Sequence, residues 1–415
     1  MTPLTQNIEV GRTPCNIAGY RRAGGYAAVE AVIGKMAPGE VIRIVAESGL
    51  GGCGGGGFPT GRKWQAMPPR AKRPGPRYFI VNADEMEPGT IKDRYLMEGD
   101  PHQLVEGILL SAYAVEADIA YIFVRGEYTL AIARLREAIA EAEEAGLLGA
   151  LNIHIHAGAG RYICGEETAL LNSLEGKRAV PRAKPPLPQE SGLFGCPTIV
   201  NNVETICNIP HIVRHGGAWY RGLGVGGEAG TKLFSVSGRV ARPGVYELPM
   251  GTSLRTLIEE CGGGMRDGFA LRAVLPGGAS TGFLDASALD TPMSIPGMAA
   301  AGTRLGTGNV MVLDDATCPV GFMRNLQHFF AQESCGWCAP CRDGLPWVEQ
   351  ILTAMEGGEG CESDLAVLAA MPAQMGPGRT FCGLAPGAMA SLSTGLVLFR
   401  DELHRHVHEK SCAWQ

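Results

Sequence analysis

The chain has 415 residues, 45% of them hydrophobic, and a net charge of −6. That length suggests two to three domains at roughly 150 residues each, with enough apolar content to build their cores. The acidic balance excludes a nucleic-acid footprint. No apolar run approaches the roughly 18 residues of a membrane span, so membrane association is expected only through partner subunits, with no direct insertion. Thirteen cysteines stand singly apart from one triplet. With no signal peptide in the opening residues, they are expected as reduced thiols and metal ligands in a cytoplasmic setting. Fifty-nine glycines, about twice the usual share, point to close approach of backbone to ligands.

Residues 26–37 carry Ala, Val and Ile at helical intervals, and Pro38-Gly39 is expected to end that helix. Seven of the nine residues 49–57 are glycine, followed by Phe58, Pro59, Thr60, Gly61, Arg62, Lys63 and Trp64. Successive glycines let amide N–H groups turn inward and let a phosphate or flat ring approach the backbone, with Lys63 as a nearby cation. The loop matches neither the dinucleotide fingerprint nor the P-loop. Residues 77–82 read as a buried parallel strand running into Asp84, Glu85 and Glu87. Ligands on open α/β sheets bind beyond the carboxyl ends of such strands, although an acidic turn is as easily a solvated one.

Asp100 is expected to cap a helix over residues 101–115. A strand over 118–124 and an amphipathic helix over 127–145 follow, with Leu130, Leu135, Ile139 and Ala142 on its apolar face. A strand over 153–157 leads through a glycine-rich turn containing Tyr162 and Gly165 to Glu166 and Glu167. Carboxylates are favoured in a first helical turn, so these two either cap a helix or face a ligand. Residues 179–188 are proline-rich and expected to be extended. Asn201 and Asn202 follow an apolar pair; such amides suit a phosphate or a flavin edge, and also suit turns. This strand–helix alternation indicates an α/β domain.

After Trp219 the texture changes. Residues 231–248 read as two strands around an Arg-Pro-Gly turn, residues 253–261 as a short helix, and 274–276 and 310–313 as further strands. Helices are expected over 323–333, 344–356, 362–371 and 386–408. Within this last region Cys335, Cys338 and Cys341 form a C-x2-C-x2-C run, and Cys382 is the best fourth thiol. Three clustered thiolates and a distant fourth commonly hold a [4Fe–4S] cluster. Structural zinc, the alternative, prefers two separated cysteine pairs or cysteine and histidine pairs. Trp337 is expected to pack beside the cluster or in plain core.

Together these segments resemble the NADH-binding flavoprotein subunit of bacterial respiratory complex I, along most of the chain. Residues 54–64, 82–94, 158–178, 200–205, 333–342 and 380–382 carry the resemblance. Similar modules serve as diaphorase subunits of NAD-reducing hydrogenases and NAD-dependent formate dehydrogenases. The resemblance implies a Rossmann-like FMN/NAD α/β domain over residues 1–225. A β-grasp (ubiquitin-like, SLBB-like) α+β domain over 226–316 and a helical [4Fe–4S]-binding bundle over 317–415 follow. It implies an FMN site lined by Gly52, Gly54, Lys63, Asn82, Asp84, Glu85, Tyr162, Gly165, Glu166, Asn201 and Asn202. Phe58, Glu87 and Glu167 would contact NADH, with Phe58 stacking on a ring. Cys335, Cys338, Cys341 and Cys382 would hold the cluster.

The implied activity is oxidation of NADH by hydride transfer to FMN, then passage of single electrons to the cluster and on toward quinone. The implied partners are a thioredoxin-like [2Fe–2S] subunit and a large multi-cluster iron–sulfur subunit. The implied location is the cytoplasmic face of the inner membrane, reached through the complex. A soluble hydrogenase or formate dehydrogenase diaphorase, and a flavin-deficient scaffold, are the alternatives. Relatives usually carry arginines where this chain has Gly51 and Cys53, so weaker cofactor affinity is expected, and Cys53 is expected to oxidise readily if exposed.

Overall fold

The structure is a computed structural model that describes residues 1–9 and 11–414. The chain divides into two compact units. One comprises Met1–Met86, Ile91–Leu233 and Glu247–Gly251; the other comprises Glu87–Thr90, Phe234–Tyr246 and Thr252–Gln415.

The first unit is built on strands β1 (Tyr78–Ala83), β2 (Ile119–Val124), β3 (Asn152–Ala157) and β4 (Thr198–Asn202). They run parallel in the order β3-β2-β1-β4. The chain winds outward from β1 through β2 to β3, then crosses back to lay β4 on the other side of β1. The winding direction therefore reverses between β1 and β4, and that reversal opens a crevice at their carboxyl ends. Phe79, Ile80 and Val81 are fully buried in β1, as a strand covered on both faces requires.

Asp100 caps helix Pro101–Ala114, its side chain accepting from Gln103 N. Helix Thr129–Glu144 buries Ala131, Ile132, Leu135, Ala138 and Ala142, while Leu130 stays exposed. Of the expected apolar face, Leu135 and Ala142 are buried, while Leu130 is exposed and Ile139 half-buried. Ala131, Leu135, Ala138 and Ala142 form a stripe at 4-3-4 spacing, and its three small alanine side chains allow close packing. Pro38 does not end a helix. Helix Ala27–Val32 stops earlier, and Pro38 opens helix Pro38–Ser48, where its missing N–H costs nothing.

A second sheet comprises β5 (Thr231–Gly238), β6 (Gly244–Pro249), β7 (Leu271–Leu275) and β8 (Asn309–Asp314), in the order β6-β5-β8-β7. β8 runs parallel to β5 and antiparallel to β7, the mixed pairing of a β-grasp sheet. Gly238 ends β5 at φ 97°, where a Cβ would lie 2.1 Å from Val312 O, so no side chain fits. The expected short helix is a single π-helical stretch, Thr256–Cys261.

The carboxyl-terminal helices are Pro319–Glu333, Ala339–Glu356, Glu362–Met375, Leu384–Leu398 and Arg400–Glu409. The sequence predicts one helix where the last two stand. Phe399 breaks it: the residue leaves helical geometry at φ −110° and ψ 29°. Its ring is fully buried edge-on to Phe283 at 5.1 Å. Among the described residues no helix is long and apolar enough to cross a membrane.

Candidate functional site

The carboxyl ends of β1 and β4 lie in register, with Asn82 opposite Asn202. Asn82 Oδ1 accepts from Asp84 N at 3.1 Å, which turns the chain as it leaves the sheet. Asn82 Nδ2 donates to Gly165 O at 2.9 Å and so ties in the turn Tyr162–Gly165 that follows β3. Asn201 Oδ1 accepts from the buried Trp64 Nε1 at 2.9 Å. That bond fastens helix Thr60–Gln65, and the glycine loop before it, to β4.

The loop is closed by its own backbone. Gly52 N donates to Phe58 O at 2.9 Å, Gly57 N to Gly52 O at 3.2 Å, and Thr60 N to Leu50 O at 2.9 Å. Gly55 and Gly57 hold φ of 105° and 64°. A Cβ on Gly54 would sit 3.2 Å from Asn202 Cβ. The bare loop therefore rests against the switch-point asparagine, with no side chain between. Phe58 is 58% exposed at the loop's end, free to stack on a ring.

Lys63 Nζ donates to Val200 O and to Glu167 Oε2, both at 2.7 Å. Glu167 also accepts from Lys184 Nζ at 2.8 Å. Burial works against its charge, but Lys63 and Lys184 outweigh it and hold the carboxyl below its ordinary value. Glu166 takes the capping role: its Oε2 accepts from Thr168 N and Ala169 N, both at 2.9 Å, at the start of helix Glu167–Leu174. The direct contacts are thus Gly54 with Asn202, Lys63 with Glu167, Asn82 with Gly165 and Asn201 with Trp64. Glu87 belongs to the second unit. There its Oε1 accepts from Ser280 N at 2.7 Å.

Beneath Asn202 lies an ionic cluster to which sequence reasoning assigns no role. Lys92 Nζ contacts Asp93 Oδ1 at 2.7 Å, Glu204 Oε2 at 3.1 Å and Asn202 Oδ1 at 3.2 Å. Lys232 reaches Glu204 Oε2 at 2.9 Å. Asn202 Nδ2 donates to Asp93 Oδ2 at 2.6 Å. Burial disfavours the Lys92 cation, but Asp93 and Glu204 outweigh it and hold it charged well above the ordinary lysine range. The one sequence signal for it is the Lys92-Asp93-Arg94 run after the acidic turn.

Glu85 accepts from Asp93 N at 2.8 Å, Arg94 N at 3.0 Å and the Tyr128 hydroxyl at 3.2 Å. It thereby anchors the start of helix Lys92–Gly99. Burial, then the Asp93 charge, raise its carboxyl from 4.5 to about 7. The folded state therefore holds a proton that the unfolded state releases at lower pH. Below pH 4.5 both states are protonated and Glu85 imposes no charge penalty; as pH rises to about 7 that stability is lost. The stability of the wild type minus that of Glu85→Gln is expected to fall across this window and to stay level above it. Urea midpoints measured at several pH values check this; a flat difference would contradict it.

Cys53 N donates to Thr205 Oγ1 at 2.9 Å. Burial, followed by Glu204, pushes its thiol up to about 11, which leaves it protonated and unreactive at neutral pH. Easy oxidation of Cys53 is therefore not expected.

In the second unit Cys335 and Cys338 precede helix Ala339–Glu356 and Cys341 lies in its first turn, while Cys382 lies just before helix Leu384–Leu398. Burial pushes the Cys341 thiol up to about 12, and the charges of Cys338, Cys382 and Cys335 add to the rise. The other three thiols thus all act on Cys341. Ser334 Oγ lies 3.1 Å from Cys341 Sγ. Trp337 is 56% exposed and meets Phe381, the neighbour of Cys382, edge-on at 6.5 Å. It borders the thiols from outside and is not core.

Both cofactors fit the residues present. Three thiols in one C-x2-C-x2-C run and a fourth that acts on Cys341 match the ligand set of a [4Fe–4S] cluster. A side-chain-free loop with left-handed glycines, a lysine and two asparagines at a switch point match a phosphate-bearing flavin.

Three family models match the chain: Nuo51 FMN-binding domain over residues 45–211, SLBB domain over 233–284, and NADH-ubiquinone oxidoreductase-F iron-sulfur binding region over 321–406. The NADH-quinone oxidoreductase F subunit of Salmonella typhimurium is 50% identical, covering 98% of this chain and 93% of that protein. Its counterpart in Streptomyces coelicolor is 45% identical, covering 95% and 88%. A crystal structure of an NAD+-reducing [NiFe]-hydrogenase superposes with a TM-score of 0.85 at 35% identity, covering 95% of this chain and 67% of that one. The chain belongs to the family of NADH-quinone oxidoreductase F subunits, the NADH-oxidising subunits of complex I, with FMN- and [4Fe–4S]-binding domains.

Proposed function

We propose that the crevice between β1 and β4 is where this chain holds FMN and receives NADH. The observation that carries this reading is the contact of the bare glycine loop with Asn202, beside the Lys63–Glu167 pair. Gly52, Gly54 and Lys63 would hold the flavin phosphate through N–H groups and one cation. Asn82, Asp84, Glu85, Tyr162, Gly165, Glu166, Asn201 and Asn202 would line the rest. Phe58 would stack on a ring of NADH, and Glu167 would position it. A flavin held there would supply the conversion between a two-electron hydride donor and a one-electron acceptor. The protein's part is orientation and charge: no side chain is required as acid or base. Glu167, kept ionised by Lys63 and Lys184, supplies a fixed negative charge near the flavin. Cys335, Cys338, Cys341 and Cys382 would hold the cluster that takes the single electrons.

The partners would be a thioredoxin-like [2Fe–2S] subunit and a large multi-cluster iron–sulfur subunit, with the assembly on the cytoplasmic face of the inner membrane. The likeness to the NAD+-reducing hydrogenase favours one second reading, a soluble diaphorase. The partner that copurifies with the chain decides between them.

Lys63→Met tests the flavin site. Loss of one charge-assisted hydrogen bond costs about 1.5–3 kcal/mol, which weakens FMN binding roughly 10- to 150-fold. Quenching of FMN fluorescence on titration of the protein measures it. Unchanged affinity would move the phosphate away from Lys63.

A further inference from the structure

Outside the four cluster thiols, the second unit gathers another set of soft ligands. Cys318 Sγ, His406 Nε2 and Cys412 Sγ all lie within 4.8 Å of one another. Cys318 Sγ and His406 Nε2 are 3.4 Å apart. A tetrahedral zinc ion with bonds of about 2.3 Å to sulfur and 2.0–2.1 Å to nitrogen sets its sulfur and nitrogen ligands about 3.5 Å apart. The observed spacing is therefore that of two ligands on one ion.

The surroundings prepare each ligand. His406 is fully buried and its Nδ1 lies 2.7 Å from Glu402 O. A carbonyl oxygen only accepts, so Nδ1 carries the proton and donates it. That leaves the Nε2 lone pair facing Cys318, the arrangement by which an outer hydrogen bond orients a metal-binding histidine. Cys318 caps helix Pro319–Glu333, its sulfur accepting from Gly321 N at 3.3 Å. A backbone N–H and a helix amino terminus both favour the thiolate, while burial, the larger influence, keeps the metal-free thiol protonated. Trp414 lies parallel to His406 at 6.0 Å, and its Nε1 donates to Asp315 O at 3.2 Å. The chain's end is thereby folded over the imidazole, next to Cys412. Without a metal, the same contact is a thiol donating to an imidazole nitrogen. With one, two thiol protons leave and the ion takes their place.

We propose that Cys318, His406 and Cys412 form a second metal site, selective for zinc. Two thiolates and an imidazole suit zinc, and water would fill the fourth position. The site would clip the carboxyl terminus to the first helix of the bundle, a structural role separate from electron transfer.

The test uses the purified full chain with its iron–sulfur cluster in place. Zinc and iron are counted by mass spectrometry after equilibration with zinc ion and desalting, for wild type, Cys318→Ser and Cys412→Ser. Serine keeps the helix cap at position 318 and removes the soft ligand. The expected result is one zinc per wild-type chain, and zinc at the buffer blank in both variants, with iron and NADH-driven flavin reduction unchanged. Cobalt loading should give a thiolate-to-cobalt charge-transfer band in the wild type alone. A wild type that retains no zinc would overturn the proposal. So would variants that hold as much zinc as the wild type, or a Cys318–Cys412 disulfide in the isolated protein.

Discussion

Cys382→Ser is expected to strip the iron–sulfur cluster while leaving flavin chemistry in place. Cys382 is the one proposed ligand from outside the 335–341 run, and a cluster it helped to hold would join the loop before helix Leu384–Leu398 to the start of helix Ala339–Glu356. The remaining three thiols leave one iron without a soft ligand, and a serine hydroxyl is a poor replacement for sulfur. Iron content should drop and the cluster's EPR signal should vanish. Part of the folding energy of the helical region comes from the metal, so that region should also loosen. The cysteines lie in the second unit and the β1–β4 crevice in the first. NADH should therefore still bleach the flavin, while electron delivery to the partner subunits falls to background. Retention of full iron and an unchanged EPR signal would show that Cys382 is not a ligand.

Lys92→Met is expected to destabilise the first unit more than any substitution on its surface. Lys92 is 1% exposed and lies among Asp93 and Glu204, themselves 4% and 0% exposed. Methionine fills a similar volume but removes the cation that touches Asp93 directly. Breaking a buried ion pair from one side costs about 3–5 kcal/mol because the partner stays charged and unpaired. That is a large part of the about 5–15 kcal/mol that holds a typical domain folded. Lys232→Met is the comparison: Glu204 would keep Lys92, and the loss should be smaller. Urea denaturation followed by circular dichroism measures both. Lys92→Met should also weaken FMN binding, since Asn202 would lose a donor at 3.2 Å. Equal stability of Lys92→Met and the wild type would mean the cluster is neutralised by some other route.

Three of the parallel strands were legible in the sequence because they are short, apolar and bounded by turns; β1 to β3 lie within about a residue of the expected ranges, whereas β4, with two asparagines at its end, was not expected as a strand. The run of Cys335, Cys338 and Cys341 was legible because close spacing keeps three thiols together. The clustering of Lys63 with Glu167, and of Gly54 with Asn202, was not readable from the residues alone, because each pair lies more than a hundred residues apart in the chain and meets only in the folded sheet. The family resemblance supplied those residues before the fold did. Helix edges failed where a local rule had two outcomes. Proline stops one helix or starts another, and Pro38 does the second. The Phe399 break has no local signal, because burial of its ring against Phe283 is a tertiary event. The Lys92–Glu204 and Cys318–His406 contacts span long sequence separations, and no periodicity announces them.

The most direct measurement is an anaerobic titration of the FMN-loaded chain with NADH, following flavin absorbance and the cluster's EPR signal together. The flavin bands should bleach as NADH is added, and the reduced-cluster signal should grow with them. A flavin that stays bound and oxidised in excess NADH, with the cluster silent, would contradict it.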